Sequence, residues 1–337
     1  MKVKSSIETL VPYRSKQLDV PIVLNANETR NYLFPGGFPI EIAFEKYPNT
    51  NADELRDELA KRYDLKRENF IIGNGSTELL ELAVKTFTEP GDYILTFDPS
   101  FAMYDIYSQI HGTFLLKVPA EADGRQSVDK MIALAQTYQP SLIFICTPNN
   151  PTGAMNSRDE ILRLVESTDA LVVVDEAYID FAKEENSVMS LVEEYDNLMV
   201  ARTFSKAYGL AALRLGYVVA NPFLVNTLLK VKLPYSVNSV SIAIGLEALT
   251  KQETVKTFLN DVVQERNNLY DYLIDLGMDV YPSQANFLFV KSTVNLQETL
   301  LQKGILIRSF GNDAYRITIG TTKQNSRLKE ALKEVLS

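Results

Sequence analysis

The sequence predicts an α/β fold in which a mostly parallel sheet lies between helices, joined to a smaller α+β domain. Three observations carry this expectation. From about residue 50, amphipathic segments of helical period alternate with short apolar runs. Those runs are apolar throughout rather than at every second residue, the pattern of strands buried on both faces. Past LGYVVAN the rhythm changes to a long helical stretch followed by mixed elements, and 337 residues with 46% hydrophobic content exceed the size at which single cores usually split.

Taken in order, ADELRDELAKRY reads as a helix, FIIG as a strand, STELLELAVKTF as a helix and DYILTF as a strand. SLIFICT, ALVVVDEA and NLMVARTF continue the series as β-rich apolar runs separated by helical or turn-rich stretches. The segment from NSVSIAIG to YDYLIDLG is long and helical in period, and the remainder reads strand, helix, strand, strand, helix. The first 50 residues are irregular, with NANETRNYLFPGGFP rich in turn formers. These shifts predict an N-terminal arm over 1–38, a large domain over 39–239 and a small domain over 240–337.

Composition excludes several chemistries. A net charge of −9 without any basic run argues against a nucleic-acid partner. No stretch approaches the roughly 18 apolar residues of a membrane span, and MKVKSSIETL lacks the apolar core of a signal peptide, so a cytoplasmic protein away from the membrane is expected. The single cysteine, Cys146, excludes an intrachain disulfide, and within SLIFICT it reads as a small hydrophobe rather than a catalyst. His111 is the only histidine, which leaves no His-rich metal site, and in YSQIHGT it reads as a helix end stopped by Gly112.

In open α/β sheets ligands sit beyond the carboxyl ends of the strands, so the residues following the apolar runs are informative. Five junctions carry unusual polar residues. FIIGNGSTELLEL passes through Gly73, Asn74 and Gly75 into a helix opening at Ser76 and Thr77, which reads either as ordinary punctuation or as a phosphate-binding helix start. In DPSFAMY, Phe101 could pack in the core or lie against a flat heterocycle. In CTPNNPTG, Asn150 is either a turn residue or a hydrogen-bond donor into a site. VVVDEAYIDF ends an apolar strand in Asp175, a costly position for an unpaired acid. RTFSKAYGLAALRLGY offers Ser205, Lys206 and Arg214 together, although a loop lysine alone is usually a solvated surface group.

Together the PNNPTG turn, the DEAY strand end and the SK…R segment, with lysine and arginine at 206 and 214, resemble the fold type I, pyridoxal 5'-phosphate-dependent aminotransferases. The matches run from Tyr13 to Arg316, in the order of the histidinol-phosphate aminotransferase branch. The resemblance implies an aspartate aminotransferase-like fold whose N-terminal arm contributes to the small domain and the substrate site. It implies that Lys206 binds the cofactor covalently and then moves the substrate proton as a base. Asp175 would keep the pyridine nitrogen protonated, Asn150 and Tyr178 would hydrogen-bond the ring's phenolic oxygen, and Phe101 would cover one face. Gly75, Ser76, Thr77, Thr203, Ser205 and Arg214 would hold the phosphate. Tyr47 matches a tyrosine donated by the neighbouring subunit, which implies a homodimer.

On the substrate side, the resemblance assigns Arg316 in YRITIG and Arg308 in ILIRSFG to the anionic group, with Tyr13 and Asn27 nearby; arginine suits the task because its planar fork pairs with carboxylate or phosphate in two bonds. The expected reaction moves an amino group between histidinol phosphate and 2-oxoglutarate, in histidine biosynthesis. Aromatic amino acids as donors, and a decarboxylase of phosphorylated amino acids such as threonine phosphate, are the alternatives. A transcription regulator with an aminotransferase-like half is the non-enzymatic reading, and the match beginning at Tyr13 leaves little chain ahead of it for a DNA-binding segment. The chain departs from the family pattern in carrying Asn27-Glu28-Thr29-Arg30 where Asn-Glu-Asn-Pro is usual, and in a shorter segment after Tyr13.

Overall fold

A computed structural model of the chain describes residues 3–11, 18–38 and 41–336. A seven-stranded sheet forms the centre. Its strands are β2 (Phe70–Asn74), β3 (Tyr93–Asp98), β4 (Phe114–Pro119), β5 (Leu142–Cys146), β6 (Leu171–Asp175), β7 (Leu198–Thr203) and β8 (Leu215–Ala220), in the order β2-β8-β7-β6-β5-β3-β4. The pairs from β7 through β4 are parallel, and β8 runs antiparallel to both of its neighbours.

Successive residues of these strands alternate between two hydrophobic cores. Ile72, Leu95, Ile143, Val172 and Val200 face one side, while Ile71, Ile94, Leu142, Val173 and Met199 face the other. With a side-chain period of two, both faces of the sheet must be covered for such strands to be stable. Helices α2 (Asp53–Tyr63) and α3 (Ser76–Phe87) supply Leu55 and Leu59 to the first core, and Leu79, Leu80 and Ala83 to the second. Further helices are the short α1 (Ser5–Glu8), α4 (Met103–His111), α5 (Val128–Tyr138), α6 (Arg158–Glu166) and α7 (Pro222–Leu229). Their ends follow local chemistry: Ser157 and Glu160 form a capping box on α6, and Gly112 closes α4 with φ +74°.

The C-terminal part begins with α8 (Ser239–Thr250) and α9 (Gln252–Asp275). It continues with β9 (Asp279–Tyr281), β10 (Phe287–Lys291), α10 (Leu296–Gln302), β11 (Ile305–Leu306), β12 (Arg308–Gly311), β13 (Ala314–Thr318) and α11 (Thr322–Leu336). Strands β12-β13-β10-β9 make an antiparallel sheet packed on α9 and α11 over a third core that includes Phe258, Leu269, Phe287, Ile317, Leu328 and Leu332. The N-terminal strand β1 (Ile22–Val23) pairs in parallel with β11, and Leu24 enters this third core. Residues 25–32 then cross from the C-terminal part to the carboxyl ends of the central strands.

The apolar runs after residue 70 form buried strands where the sequence expects them. Three features differ. The stretch expected as one long helix breaks at Lys251 into α8 and α9; the apolar period continues across the junction, which conceals the turn in the sequence. The C-terminal elements include β9 and β10 before α10, and two strands, β11 and β12, where one was expected. The edge strand β4 buries only Val118, and Lys117 and Pro119 interrupt its apolar run, so it lacks the unbroken apolar signature of its neighbours.

Candidate active site

A cavity of about 530 Å³ opens at the carboxyl ends of the central strands, walled on its other side by residues 23–28 and by β11 to β13. Its floor is the end of β6. The Asp175 carboxyl group is buried, accepting from the Tyr104 hydroxyl at 3.0 Å and from the Ala177 amide at 3.2 Å. Burial pushes its pKa up to about 6, a rise that those two donors oppose. No salt bridge joins Asp175 among the described residues, so the strand end offers an acidic group that a cationic or protonated ligand atom would satisfy.

Beside it, just past β7, stands Lys206. Its ammonium group donates to the main-chain oxygens of Ala26 at 3.0 Å and Asn27 at 3.2 Å. Burial, reinforced by the Arg316 and Arg214 charges, brings its pKa down to about 7. An amine in that range is largely neutral just above neutral pH, which makes it a competent nucleophile and base.

At one end of the cavity α3 opens at Ser76 and Thr77. Arg214 donates to Thr77 Oγ1 at 3.0 Å and to Ser205 Oγ at 3.3 Å. A Cβ on Gly75, whose φ is +78°, would lie 2.5 Å from Arg214 Nη2, and a Cβ on Gly216 would lie 2.3 Å from the Ser76 amide nitrogen. Glycine at both positions lets strand, helix start and guanidinium converge. The combination of helix amides, hydroxyls and one arginine is a cradle for a phosphate-sized anion.

The opposite end is built around paired arginines. Arg308 on β12 and Arg316 on β13 are register partners, so their side chains rise from adjacent positions of one face. Arg316 is buried; it donates to the Asn150 side-chain oxygen and, at 2.8 Å, to the Asn25 carbonyl, and its guanidinium lies over the Phe287 and Phe310 rings. Two cations opposed in this way repel unless an anion lies between them.

The matching family model is that of aminotransferase class I and II, over residues 39–332. The chain belongs to that family. It is 37% identical to the histidinol-phosphate aminotransferase of Thermoanaerobacter sp. (strain X514) over 345 residues, which spans 97% of this chain and 94% of that protein. Among solved structures it resembles histidinol-phosphate aminotransferase from Sinorhizobium meliloti in complex with pyridoxal-5'-phosphate (TM-score 0.89, 23% identity, 99% and 97% of the two chains). It also resembles L-threonine-O-3-phosphate decarboxylase from Porphyromonas gingivalis (TM-score 0.80, 26% identity, 94% and 99%).

In this aminotransferase-family chain the residues singled out from the sequence converge to different degrees. Ser76, Thr77, Phe101, Asn150, Asp175, Tyr178, Thr203, Ser205, Lys206 and Arg214 line the one cavity, as do Asn27, Arg308 and Arg316. Gly75 borders the cradle without lining it. Tyr47 does not reach the cavity of its own chain: it is 82% exposed and stacks on Tyr235 at 4.7 Å. Tyr13 lies outside the described residues. His111 ends α4, 3.5 Å from Glu81, and the buried Cys146 thiol lines the cavity with its pKa pushed up by burial.

The sequence reading missed Tyr104, whose hydroxyl holds Asp175 and whose ring stacks on Phe144 at 4.3 Å. Its signal was its place three residues after Phe101, one turn along the same helix start. The carbonyls of Ala26 and Asn27, which receive Lys206, carry no side-chain signature at all. Of the two asparagines in PNNPTG, Asn149 is committed to Pro99, Ser100 and Thr152, which leaves Asn150 facing the cavity.

Proposed function

We propose that this chain is a pyridoxal 5'-phosphate-dependent aminotransferase that exchanges an amino group between histidinol phosphate and 2-oxoglutarate. The observation that carries the reading is the arrangement of one cavity: a buried carboxyl, a lysine of lowered pKa and a phosphate cradle at one end, with paired arginines at the other. These residues fit the cofactor. Asp175 has room for a protonated ring nitrogen, Arg214 with Ser76, Thr77, Ser205 and the Gly75 turn fits its phosphate, and Lys206 is placed to bond its aldehyde carbon. Pyridoxal phosphate, when bound, would supply an electron-withdrawing ring that makes the substrate's α C–H bond more acidic.

The remaining work falls to side chains. Asp175 keeps the ring nitrogen protonated, which sustains that electron withdrawal. Tyr178 accepts from Asn27 Nδ2 at 3.0 Å, so its own hydroxyl hydrogen is directed elsewhere and can donate to the phenolic oxygen. Asn150 uses its side-chain oxygen for Arg316 and keeps its amide hydrogens for the same phenolic oxygen. Phe101 covers the ring and excludes water. Lys206, in its neutral form, would take the proton from the substrate α-carbon as the base. Arg316 and Arg308 grip the substrate's distal anion, a phosphate in one half-reaction and a carboxylate in the other.

The reading includes a homodimer. Phe44, Tyr47, Leu233 and Tyr235 form exposed apolar surface, which a second copy would cover while bringing Tyr47 to the partner's phosphate cradle. A half-reaction screen tests the substrate assignment. The purified, cofactor-loaded protein is mixed in turn with histidinol phosphate, phenylalanine, tyrosine and threonine phosphate, and its visible absorbance is followed. Fastest bleaching by histidinol phosphate is expected. Preference for phenylalanine or tyrosine would make the chain an aromatic aminotransferase, and carbon dioxide release from threonine phosphate without a keto acid would make it a decarboxylase.

A further inference from the structure

Residues 26–32 cross the loop that carries Lys206 and bond to it in both directions. The Lys206 ammonium donates to the carbonyls of Ala26 and Asn27, as described above. In return Thr29 Oγ1 donates to the Lys206 main-chain oxygen at 3.3 Å, and the Tyr32 hydroxyl donates to the Ala207 main-chain oxygen at 2.6 Å. The approach is close enough to require glycine: a Cβ on Gly209, where φ is +67°, would lie 2.7 Å from Thr29 Oγ1 and 3.1 Å from the Arg30 carbonyl oxygen.

The same segment is fastened on its other side to α9. The Tyr32 ring stacks on Phe258 at 3.9 Å and 11°, and the Arg30 guanidinium lies 5.7 Å over the same ring and 3.8 Å from Asp261. A lysine side chain is long and flexible, so its amine is only as well positioned as the peptide planes from which it hangs. Thr29 and Tyr32 hold two consecutive planes, those carrying the carbonyls of residues 206 and 207. Burial keeps the Tyr32 hydroxyl protonated, hence a donor, over the whole working range of pH.

We propose that residues 26–32 form a strap that sets the position of the Lys206 amine, with Thr29 and Tyr32 as its positioning residues and α9 as its anchor. The proposal rests on Lys206 being the lysine that bonds the cofactor. In that capture the neutral Lys206 nitrogen forms a C=N bond to the aldehyde carbon, and the aldehyde oxygen leaves as water with both amine protons. An amine that wanders reaches the aldehyde less often, whereas binding of the phosphate and ring is untouched.

The test compares two probes on apoprotein: pyridoxal 5'-phosphate, which the lysine can capture, and pyridoxamine 5'-phosphate, which fills the same cavity but has no aldehyde. Tyr32→Phe keeps the stack on Phe258 and loses the hydroxyl; Thr29→Val loses the other hydroxyl at nearly constant volume. At saturating pyridoxal phosphate the capture rate constant should fall roughly three- to tenfold in each, the effect of one neutral hydrogen bond, with pyridoxamine phosphate affinity kept within about twofold and capture restored in Thr29→Ser. Undiminished capture in both variants, or parallel loss of capture and pyridoxamine phosphate affinity, would overturn the strap. Lys206→Ala separates the two levels of argument: capture that persists there overturns the reading of Lys206 and the strap with it, whereas no capture there, combined with undiminished capture in the other variants, overturns the strap alone.

Discussion

Replacing Arg308 with alanine separates what the paired arginines do for the substrate from what they do for the fold. The two residues are register partners on adjacent antiparallel strands, so their Cβ atoms lie roughly 4.5–5.5 Å apart. Side chains rising from such a pair can bring their charges within about 6 Å, where two like unit charges repel by about 0.7 kcal/mol at the dielectric of water and by about 3 kcal/mol at an effective dielectric of 20. Without ligand, Arg308→Ala should therefore leave thermal stability unchanged or slightly raised. On the proposed reading a substrate phosphate would reverse the balance, because its double charge would engage both cations; losing one charge-assisted contact costs about 1.5–3 kcal/mol, or roughly a ten- to hundredfold fall in kcat/KM. Glutamate presents a single distal carboxylate, which Arg316 alone can grip, so its half-reaction should fall less. Arg316→Ala should depress both half-reactions, since Arg316 also holds Asn150 and the Asn25 carbonyl. Single-turnover measurements with histidinol phosphate and glutamate, together with melting curves of the ligand-free proteins, decide the matter. An equal fall with both donors in Arg308→Ala, or a clear loss of ligand-free stability, would refute the argument.

Asp175→Asn should retain the cofactor through the intact phosphate cradle yet lose at least about 100-fold in kcat, because a neutral amide cannot keep the ring nitrogen protonated; near-normal turnover would contradict this role. Since only the neutral lysine attacks the aldehyde, and burial brings the Lys206 pKa down from 10.5 to about 7, cofactor capture by apoprotein should rise with pH through about 7 and level off by about pH 8. At that pH a lysine of ordinary pKa would be about 300-fold less available, so a capture rate still climbing above pH 9 would exclude the lowered value. For the dimer, inactive Lys206→Ala and inactive Tyr47→Ala chains, mixed equally under subunit exchange, should recover about a quarter of wild-type activity, because half of the chains enter hybrids with one intact site of two. Mixtures that stay inactive would remove Tyr47 from the partner's site.

The central strands were legible because their physics is local: Leu142–Cys146, Leu171–Asp175 and Leu198–Thr203 are buried throughout, and only a sheet covered on both faces makes such runs stable. The polar residues that end these runs were legible for the complementary reason, since an acid such as Asp175 behind four buried apolar residues calls for a ligand. What escaped depends on distant parts of the chain. The adjacency of Arg308 and Arg316 is set by strand register and by an irregularity between Ser309 and Gly311, neither of which is encoded in their spacing. The acceptors for Lys206 are main-chain carbonyls some 180 residues away in sequence. The link from Tyr32 to Ala207 exists because β1 pairs with β11 and draws residues 25–32 across the cavity. The break at Lys251 was hidden by apolar residues that continue in phase on both sides of it.

Lys206 is the residue proposed to carry the cofactor. Reducing the loaded protein with borohydride, digesting it and mapping the modified peptide tests this claim directly. A pyridoxyl group is expected on Lys206, within the peptide that contains RTFSKAYG; its appearance on any other lysine, or no stable modification at all, would remove Lys206 from that role and with it the proposed reading of the cavity.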